Sequence, residues 1–508
     1  MLSKILSSAT IGVDAYIVDV EVDLSPGLSS LSMIVGLPNM AVKESKVRVK
    51  SAIKNSGFKF PYDRMTVNLA PANIKKEGVA FDLPMAIGIL SSSEQIKGNY
   101  LDYIFIGELS LNGDLKPVKG VISIAMAVKD NSKKGIILPM ENADEAGIVD
   151  GVKVYPAKNL REVVEFLNGE KEIPEHKMDL NKTFENLLKY EIDFNEVKGQ
   201  EYAKRALEIA AAGGHNIIMI GSPGSGKTML ARRLPTILPD ISLEESIETT
   251  RIHSVAGILY KSKSIISNRP FRSPHHTASD VALIGGGSIP KPGEVSLAHN
   301  GVLFLDELSE FDKNVLEVLR QPLEDEFINI SRASVSVMFP ARFMLVGAMN
   351  PCPCGYFQDT RKECKCTTGE IQKYLKKISG PLLDRIDIHI EVPSVKFQNL
   401  SNETYGDSSS VIKNRVNKAR AIQRQRFKGA KIYCNANMNP RLIKKFCELK
   451  EDSMNLLKTA IDKLGLSGRA YDKILKVART IADIEESETI EIQHISEAIQ
   501  YRSLDRYF

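Results

Sequence analysis

Residues 216–228 read Asn-Ile-Ile-Met-Ile-Gly-Ser-Pro-Gly-Ser-Gly-Lys-Thr. The run Asn216–Ile220 is short and apolar, as a buried strand is, and Met229–Leu234 opens a helical pattern. Between them Gly221, Ser222, Pro223, Gly224, Ser225, Gly226, Lys227 and Thr228 give the spacing G-x-x-x-x-G-K-T in its strand–loop–helix setting. Glycines there let backbone N–H groups converge on phosphate oxygens, and the helix N-terminus adds partial positive charge. Lys227 is expected to reach the β- and γ-phosphates of ATP, and Thr228 to supply an oxygen to Mg²⁺. A chance glycine-rich turn is the bland alternative, and the flanking elements make it a minor one.

About eighty residues on, Val302–Leu305 is a second apolar strand, closed by Asp306 and Glu307. Ligands of open α/β sheets bind at the carboxyl ends of the strands. Asp306 is expected in the Mg²⁺ shell, and Glu307 polarising the attacking water. A second carboxylate beside the first points to hydrolysis rather than nucleotide storage. Phe343–Met349 is a third apolar strand, ending at Asn350, whose amide can also position water. Pro381–Asp387 (PLLDRID) carries Arg385 at a helix end. Arg385 is either an arginine finger for a neighbouring subunit or a surface residue paired with Asp384 or Asp387.

The 508 residues suit about three domains, and the net charge is only +4. Hydrophobic residues are 43% of the chain, enough for packed cores. No apolar run approaches the length of a membrane span. Met1–Thr10 resembles a signal peptide only superficially, since Asp19, Glu21 and Asp23 follow closely. Six cysteines are too few for a disulfide scaffold, and a cytoplasmic location is expected. Residues 1–167 read as an α+β domain, opening with Val18, Val20, Val22 and Leu24 in strict alternation. Residues 168–194 read as a polar linker, 195–393 as a parallel α/β core, and 394–508 as a mostly helical remainder.

The ordered set Gly221–Thr228, Leu305–Glu307, Asn350, PLLDRID at 381–387 and SGRA at 467–470 resembles the AAA+ ATPases. Arg272–Gly287 (RSPHHTASDVALIGGG) and the NPCPCG at 350–355 narrow the resemblance to the magnesium-chelatase-like ComM/YifB family, over essentially the whole chain. The resemblance implies Asn350 as first sensor, Arg385 as arginine finger and Arg469 as second sensor in a helical lid. It also implies a homo-hexameric ring with ATP between subunits, and two insertions lining the pore. One insertion is the Arg272–Gly287 region. The other is a hairpin at residues 328–337, where Arg332 is the best single candidate for a DNA contact and an ordinary sheet edge is the alternative. By the same resemblance the activity is that of a helicase promoting branch migration of single-stranded or branched DNA, notably in natural transformation.

Residues 1–167 resemble the Lon-protease-type domain, found also in the bacterial recombination ATPase RadA. Asn73–Asp82 falls where a Lon peptidase has its KDGPSAG motif, and the serine position corresponds to Ala80. The matching helix, Val121–Ala125, has no lysine. A Ser–Lys mechanism needs both groups within reach, so the domain reads as a non-catalytic platform.

Cys352, Cys354, Cys364 and Cys366 form two C-x-C pairs nine residues apart. They can wrap one Zn²⁺, although the one-residue spacers are tighter than usual, and free thiols or a redox pair are the alternatives. Lys413–Lys445 holds eleven Lys or Arg and no acid, either a nucleic-acid or subunit contact or a solvated helix face. Two other functions compete: a chelatase motor subunit, which normally ends after the lid and lacks both the N-terminal domain and the cysteine quartet, and a protein remodeller, which needs an aromatic pore loop not evident here.

Overall fold

The alternation at Val18–Leu24 becomes a long strand in the computed structural model, with all four apolar residues buried. The structure describes residues 1–26, 32–74, 76, 78–131, 133–179, 190–259, 265–287, 290–332, 335–359, 362–394, 406–430 and 432–502. Two compact units emerge, and neither is contiguous in sequence. The first comprises Met1–Asn186 with Ser246–Ile266 and Ser331–Met338, and the second holds the remaining segments.

In the first unit a seven-stranded mixed sheet has the order β3-β4-β2-β1-β5-β8-β9. Its strands are β1 (Leu2–Ile11), β2 (Asp14–Ser25), β3 (Ser32–Val35), β4 (Arg64–Ala70), β5 (Tyr103–Phe105), β8 (Gly135–Pro139) and β9 (Val154–Ala157). The short pair β6 (Glu108–Leu109) and β7 (Leu115–Lys116) stands apart. Helices α1 (Met40–Asn55), α2 (Asp82–Ser92), α3 (Val121–Asp130), α4 (Ala143–Gly147) and α5 (Leu160–Leu167) complete it. Every residue of α2 is buried, which requires its one charge to be paired. Arg48 grips Asp82 through Nε at 2.9 Å and Nη2 at 3.2 Å. Burial nonetheless pushes the Asp82 carboxyl above its ordinary pKa, with Arg48 pulling against it. Ser123, in the first turn of α3, donates to the Val13 carbonyl at 2.5 Å.

The second unit is built on five parallel strands in the order β11-β14-β17-β10-β18. These are β10 (Ile217–Ile220), β11 (Phe271–Arg272), β14 (Val302–Leu305), β17 (Met344–Met349) and β18 (Ile388–Glu391). The three central strands β10, β14 and β17 are buried throughout, as a parallel sheet covered on both faces demands. A small antiparallel pair, β12 (Gly285–Gly286) with β13 (Lys291–Pro292), interrupts the core, and a second two-stranded sheet, β15 (Phe327–Arg332) with β16 (Val335–Pro340), includes the Ser331–Met338 segment of the first unit. Helices of the core are α6 (Glu201–Gly213), α7 (Lys227–Arg233), α9 (Asp280–Ile284), α10 (Glu294–Leu297), α11 (Lys313–Glu317), α12 (Arg320–Asp325), α13 (Thr368–Leu375) and α14 (Gly380–Leu383), while α8 (Leu243–Ala256) falls mostly in the first unit. Beyond residue 406 come α15 (Ser409–Arg426), α16 (Pro440–Phe446), α17 (Glu451–Leu464), α18 (Gly468–Ile484) and α19 (Ile492–Gln500). Their apolar stripes continue the core: Val416, Leu457, Ile474, Ala478 and Ile495 join Ile217, Val346 and Ile388 in one cluster. Among the described residues no helix is long and apolar enough to cross a membrane.

A buried polar network fastens α18 to the amino-terminal edge of the sheet. His215 Nδ1 lies 3.2 Å from Asp387 Oδ2, and its Nε2 lies 2.8 Å from Thr480 Oγ1. Lys473 completes an ion pair with Asp387. Burial alone would raise the Asp387 carboxyl, but Lys473 and His215 hold it far below the usual range. Burial pushes the His215 imidazole down, against the pull of Asp387. Losing one partner of such a buried set costs about 3–5 kcal/mol.

Both shifts carry the same sign. Below about pH 6.5 the unfolded chain takes up a proton on His215 that the folded chain refuses, so stability falls as pH falls. The Asp387 contribution is present above the unfolded carboxylate pKa and is lost at stronger acid. The melting temperature should therefore drop between pH 8 and pH 5. In His215→Gln, which keeps a donor but cannot titrate, the drop should be smaller; identical pH slopes in calorimetry would refute the assignment.

Candidate active site

Ile220 leads directly into the phosphate loop at the carboxyl end of β10. Gly224 and Gly226 take φ of +75° and +91°, a region that favours glycine. A side chain at Gly221 would collide with the Val392 carbonyl. Lys227 begins α7 and turns into the loop, donating to the carbonyls of Gly221 at 2.6 Å and Ser222 at 3.0 Å. Its Nζ also lies 3.4 Å from Asn350 Oδ1. Burial pulls the Lys227 ammonium down to about 8, with Asp306 opposing. An ammonium packed among backbone carbonyls suits a site that a phosphate would complete. Thr228 Oγ1 donates to Asp306 Oδ2 at 2.7 Å, so the two oxygens expected to hold Mg²⁺ already meet.

Glu307 follows with φ of +51°, uncommon for a residue with a side chain. Its amide donates to Asp306 Oδ1 at 3.0 Å, closing a tight turn. The Glu307 carboxylate, more than half exposed, meets His276 Nδ1 at 3.3 Å. His276 is braced by His275, with ring centroids 4.1 Å apart, and by the edge of Phe311. The loop bearing these histidines leaves the carboxyl end of β11, which pairs with β14.

Arg385 and Arg469 lie elsewhere. Asn216, at the start of β10, donates to the Arg385 carbonyl at 3.0 Å, so Arg385 sits at the amino-terminal edge of the sheet. Its guanidinium pairs with Glu324 rather than with Asp384 or Asp387. Arg469 joins that edge by donating to Asp384 at 3.0 Å. Both line a polar cavity of about 620 Å³ with Arg342, Lys473 and Lys476. The phosphate loop is at the opposite edge, so neither arginine faces the Lys227 of its own chain.

Sequence profiles of three families match consecutive stretches of the chain. "Subunit ChlI of Mg-chelatase" matches residues 20–142, "Magnesium chelatase, subunit ChlI" matches 193–400, and its C-terminal counterpart matches 406–502. Competence protein ComM of Haemophilus influenzae is 46% identical over 99% of this chain and 98% of its own length. The uncharacterized protein YifB of Escherichia coli is 45% identical over the same shares. The chain belongs to the ComM/YifB family. The magnesium-chelatase subunit ChlI of Chlorella vulgaris is more distant, 24% identical over 48% of this chain and 75% of its own. A ComM/YifB protein is thus a magnesium-chelatase-like AAA+ protein, a family that implies ATP and Mg²⁺ at the site just described.

The NPCPCG segment at 350–355 packs onto the phosphate loop. At Gly355 (φ +85°) a Cβ would lie 2.6 Å from Pro223 Cδ, so only glycine lets the two loops meet. On either side of it, Cys352 and Cys354 before and Cys364 and Cys366 after bring all four sulfurs within 4.8 Å of one another. Separations of 3.4, 3.7 and 3.6 Å among the first three match the edge of about 3.8 Å that a tetrahedron with Zn–S bonds near 2.3 Å requires. The backbone N–H groups of Tyr356 and Lys365 hold the Cys354 thiol below its ordinary pKa.

Five residues of the basic run Lys413–Lys445 are engaged inside their own unit, while Arg424, Lys428, Arg441, Lys444 and Lys445 are exposed. Arg420 is buried and donates to the carbonyls of Ala211 and Ala212. Arg415 pairs with Glu208, Arg426 with Asp483, Lys413 with Asp240 and Lys418 with Glu486. The backbone of Arg332 closes β15, while its side chain, together with Ala333 and Ser334, lies outside the described residues. His276 was not singled out from sequence, although it stands within the quoted Arg272–Gly287 segment. Its signal is spatial, since the parallel pairing of β11 with β14 brings residue 276 to residue 307.

Fixing an exposed, flexible carboxylate is what His276 can do for Glu307. His276→Ala should lower kcat for ATP hydrolysis by about tenfold and leave KM within about twofold. His276→Gln, still able to donate, should recover part of the loss; a change confined to KM would contradict this role.

Proposed function

We propose that this protein is an ATP-hydrolysing ring motor that acts on DNA, a helicase or translocase promoting branch migration in recombination or natural transformation. The observation that carries the motor is the separation of the parts. Lys227, Thr228, Asp306, Glu307 and Asn350 stand at one edge of the sheet, and Arg385 and Arg469 at the other. Such a chain completes a nucleotide site by placing its arginines against the nucleotide of a neighbouring copy. A closed ring, and by resemblance a hexamer, satisfies every site at once.

Within each site Lys227 and the loop amides bind the phosphates, and Asp306 with Thr228 holds the metal. Mg²⁺ held there would supply charge neutralisation for the phosphates. Glu307 accepts a proton from the attacking water, which Asn350 helps to orient. Arg385 and Arg469 of the adjoining copy offset charge that develops on the γ-phosphate. The full-length likeness to a protein named for competence supports DNA as the polymer, with Arg332 as a contact. The same reading places the chain in the cytoplasm, with its ATP. The cysteine quartet is read as a structural Zn²⁺ site behind Asn350. A chelatase-type motor is the second reading, favoured by the named family profiles.

ATP turnover should be measured with and without single-stranded, duplex and branched DNA, with Lys227→Ala as the inactive control. Stimulation by single-stranded or branched DNA, reduced in Arg332→Ala more than basal turnover, is the expected result. Hydrolysis indifferent to every DNA would overturn the DNA assignment and leave the chelatase-type motor. Elemental analysis of the purified chain should find about one zinc per chain, lost in Cys352→Ser. Zinc-free wild-type protein with full stability would overturn the metal reading.

A further inference from the structure

Four lysines that none of the above uses converge on one cleft of the second unit. Lys313 at the start of α11, Lys373 in α13, and Lys376 and Lys377 just beyond it line about 500 Å³ together with Gly369 and Gln372. All six residues are exposed. Lys377 also reaches Glu310 at 3.5 Å, between side chains that are each about half exposed, so that pair offsets little of the positive field.

The walls of the cleft are firmly placed. On the inner face of α13, Ile371, Tyr374 and Leu375 are buried, and the Tyr374 hydroxyl shares a hydrogen bond with Ser309. The N-terminus of α13 is fixed by a capping box between Thr367 and Glu370, directly after Cys366 of the quartet. Ser309 is two residues beyond Glu307, and α11 follows it. The cleft therefore lies between the helix that leaves the cysteine quartet and the segment that leaves the hydrolytic carboxylates.

We propose that this lysine cleft binds the phosphate backbone of a nucleic acid, a contact separate from the hairpin that carries Arg332. The inference rests on the DNA reading above and names a surface for it. Lysine ammoniums are compact point charges, suited to phosphates met in any sequence. An acidic protein partner would need an anchor, and the cleft is lined by no aromatic or branched apolar residue. Gly369 at the lining leaves room for a backbone to approach.

The test is anisotropy with a labelled oligonucleotide, single-stranded and duplex, from about 50 to 200 mM salt. The full chain is compared with Lys373→Gln/Lys376→Gln. Each lost phosphate contact removes about 0.9 from the slope of log affinity against log salt on duplex. The double variant should be shallower by up to about 1.8 and bind about tenfold or more weakly at low salt. Basal ATP turnover should be unchanged, and Lys373→Arg/Lys376→Arg should keep the wild-type slope. If the double variant misfolds, Lys373→Gln alone should still lose about 0.9. Wild-type binding with an unchanged slope in the variants would overturn the cleft and leave the DNA reading intact. Wild-type chain that binds neither oligonucleotide would overturn both, and tight binding of polyglutamate in that case would assign the cleft to an acidic protein.

Discussion

Strand β17 lies between β10 and β14, hydrogen-bonded in parallel to both, and that placement decides where the chemistry meets. Ile220 pairs with Met349, and Leu305 with Gly347. The phosphate loop, Asn350 and Asp306 consequently leave three adjacent strands at one edge. The contacts Thr228–Asp306 and Lys227–Asn350 follow from this register rather than from any tendency of those residues to associate. All three strands are buried on both faces, so a slip by one residue would exchange the side chains that pack against the two covering layers.

The opposite edge obeys a different constraint, the burial of charge. Asp387 is buried at the start of β18 and survives there because the partly exposed Lys473 and the buried His215 both pair with it. Since Lys473 belongs to α18, the same network holds Arg469, one turn earlier, close to Asp384 and Arg385. Two arginines are thereby gathered where their own chain has no phosphate loop. That arrangement makes little sense for an isolated copy and good sense for one whose neighbour presents a nucleotide. The Arg385–Glu324 and Arg469–Asp384 pairs are partly exposed, and pairs of that kind are weak enough to be exchanged for a phosphate.

How much of this the sequence discloses depends on whether the signal is local. Strands β14 and β8 match their apolar runs residue for residue, and the phosphate loop is legible from its spacing alone, because its geometry is set by glycines within eight positions. The alternation of β2 is equally plain. What sequence spacing does not carry is the sheet order. His276 and Glu307 are thirty-one residues apart in the chain and touch only because β11 pairs with β14. The acids that pair with part of the basic run from Lys413 are equally hidden from local reading: Glu208, Asp240, Asp483 and Glu486 are scattered through the chain. The discontinuous first unit, which takes in Ser246–Ile266, is likewise a matter of packing that no compositional boundary marks.

The cysteine quartet sits where local and long-range constraints join. Cys352 is two residues after Asn350, Gly355 rests on Pro223 of the phosphate loop, and Cys366 adjoins the cap of α13. A loop of this length lacks the apolar content to hold three such attachments by burial; of the four thiols only Cys352 is buried. Tetrahedral coordination would supply the rigidity that burial does not, since one ion replaces the core such a segment cannot build. The placement then reads as a brace between Asn350, beside the phosphate loop, and the helix that bears the lysines. With an ion bound, movement at Asn350 would reach α13 through a body too short and too cross-linked to absorb it.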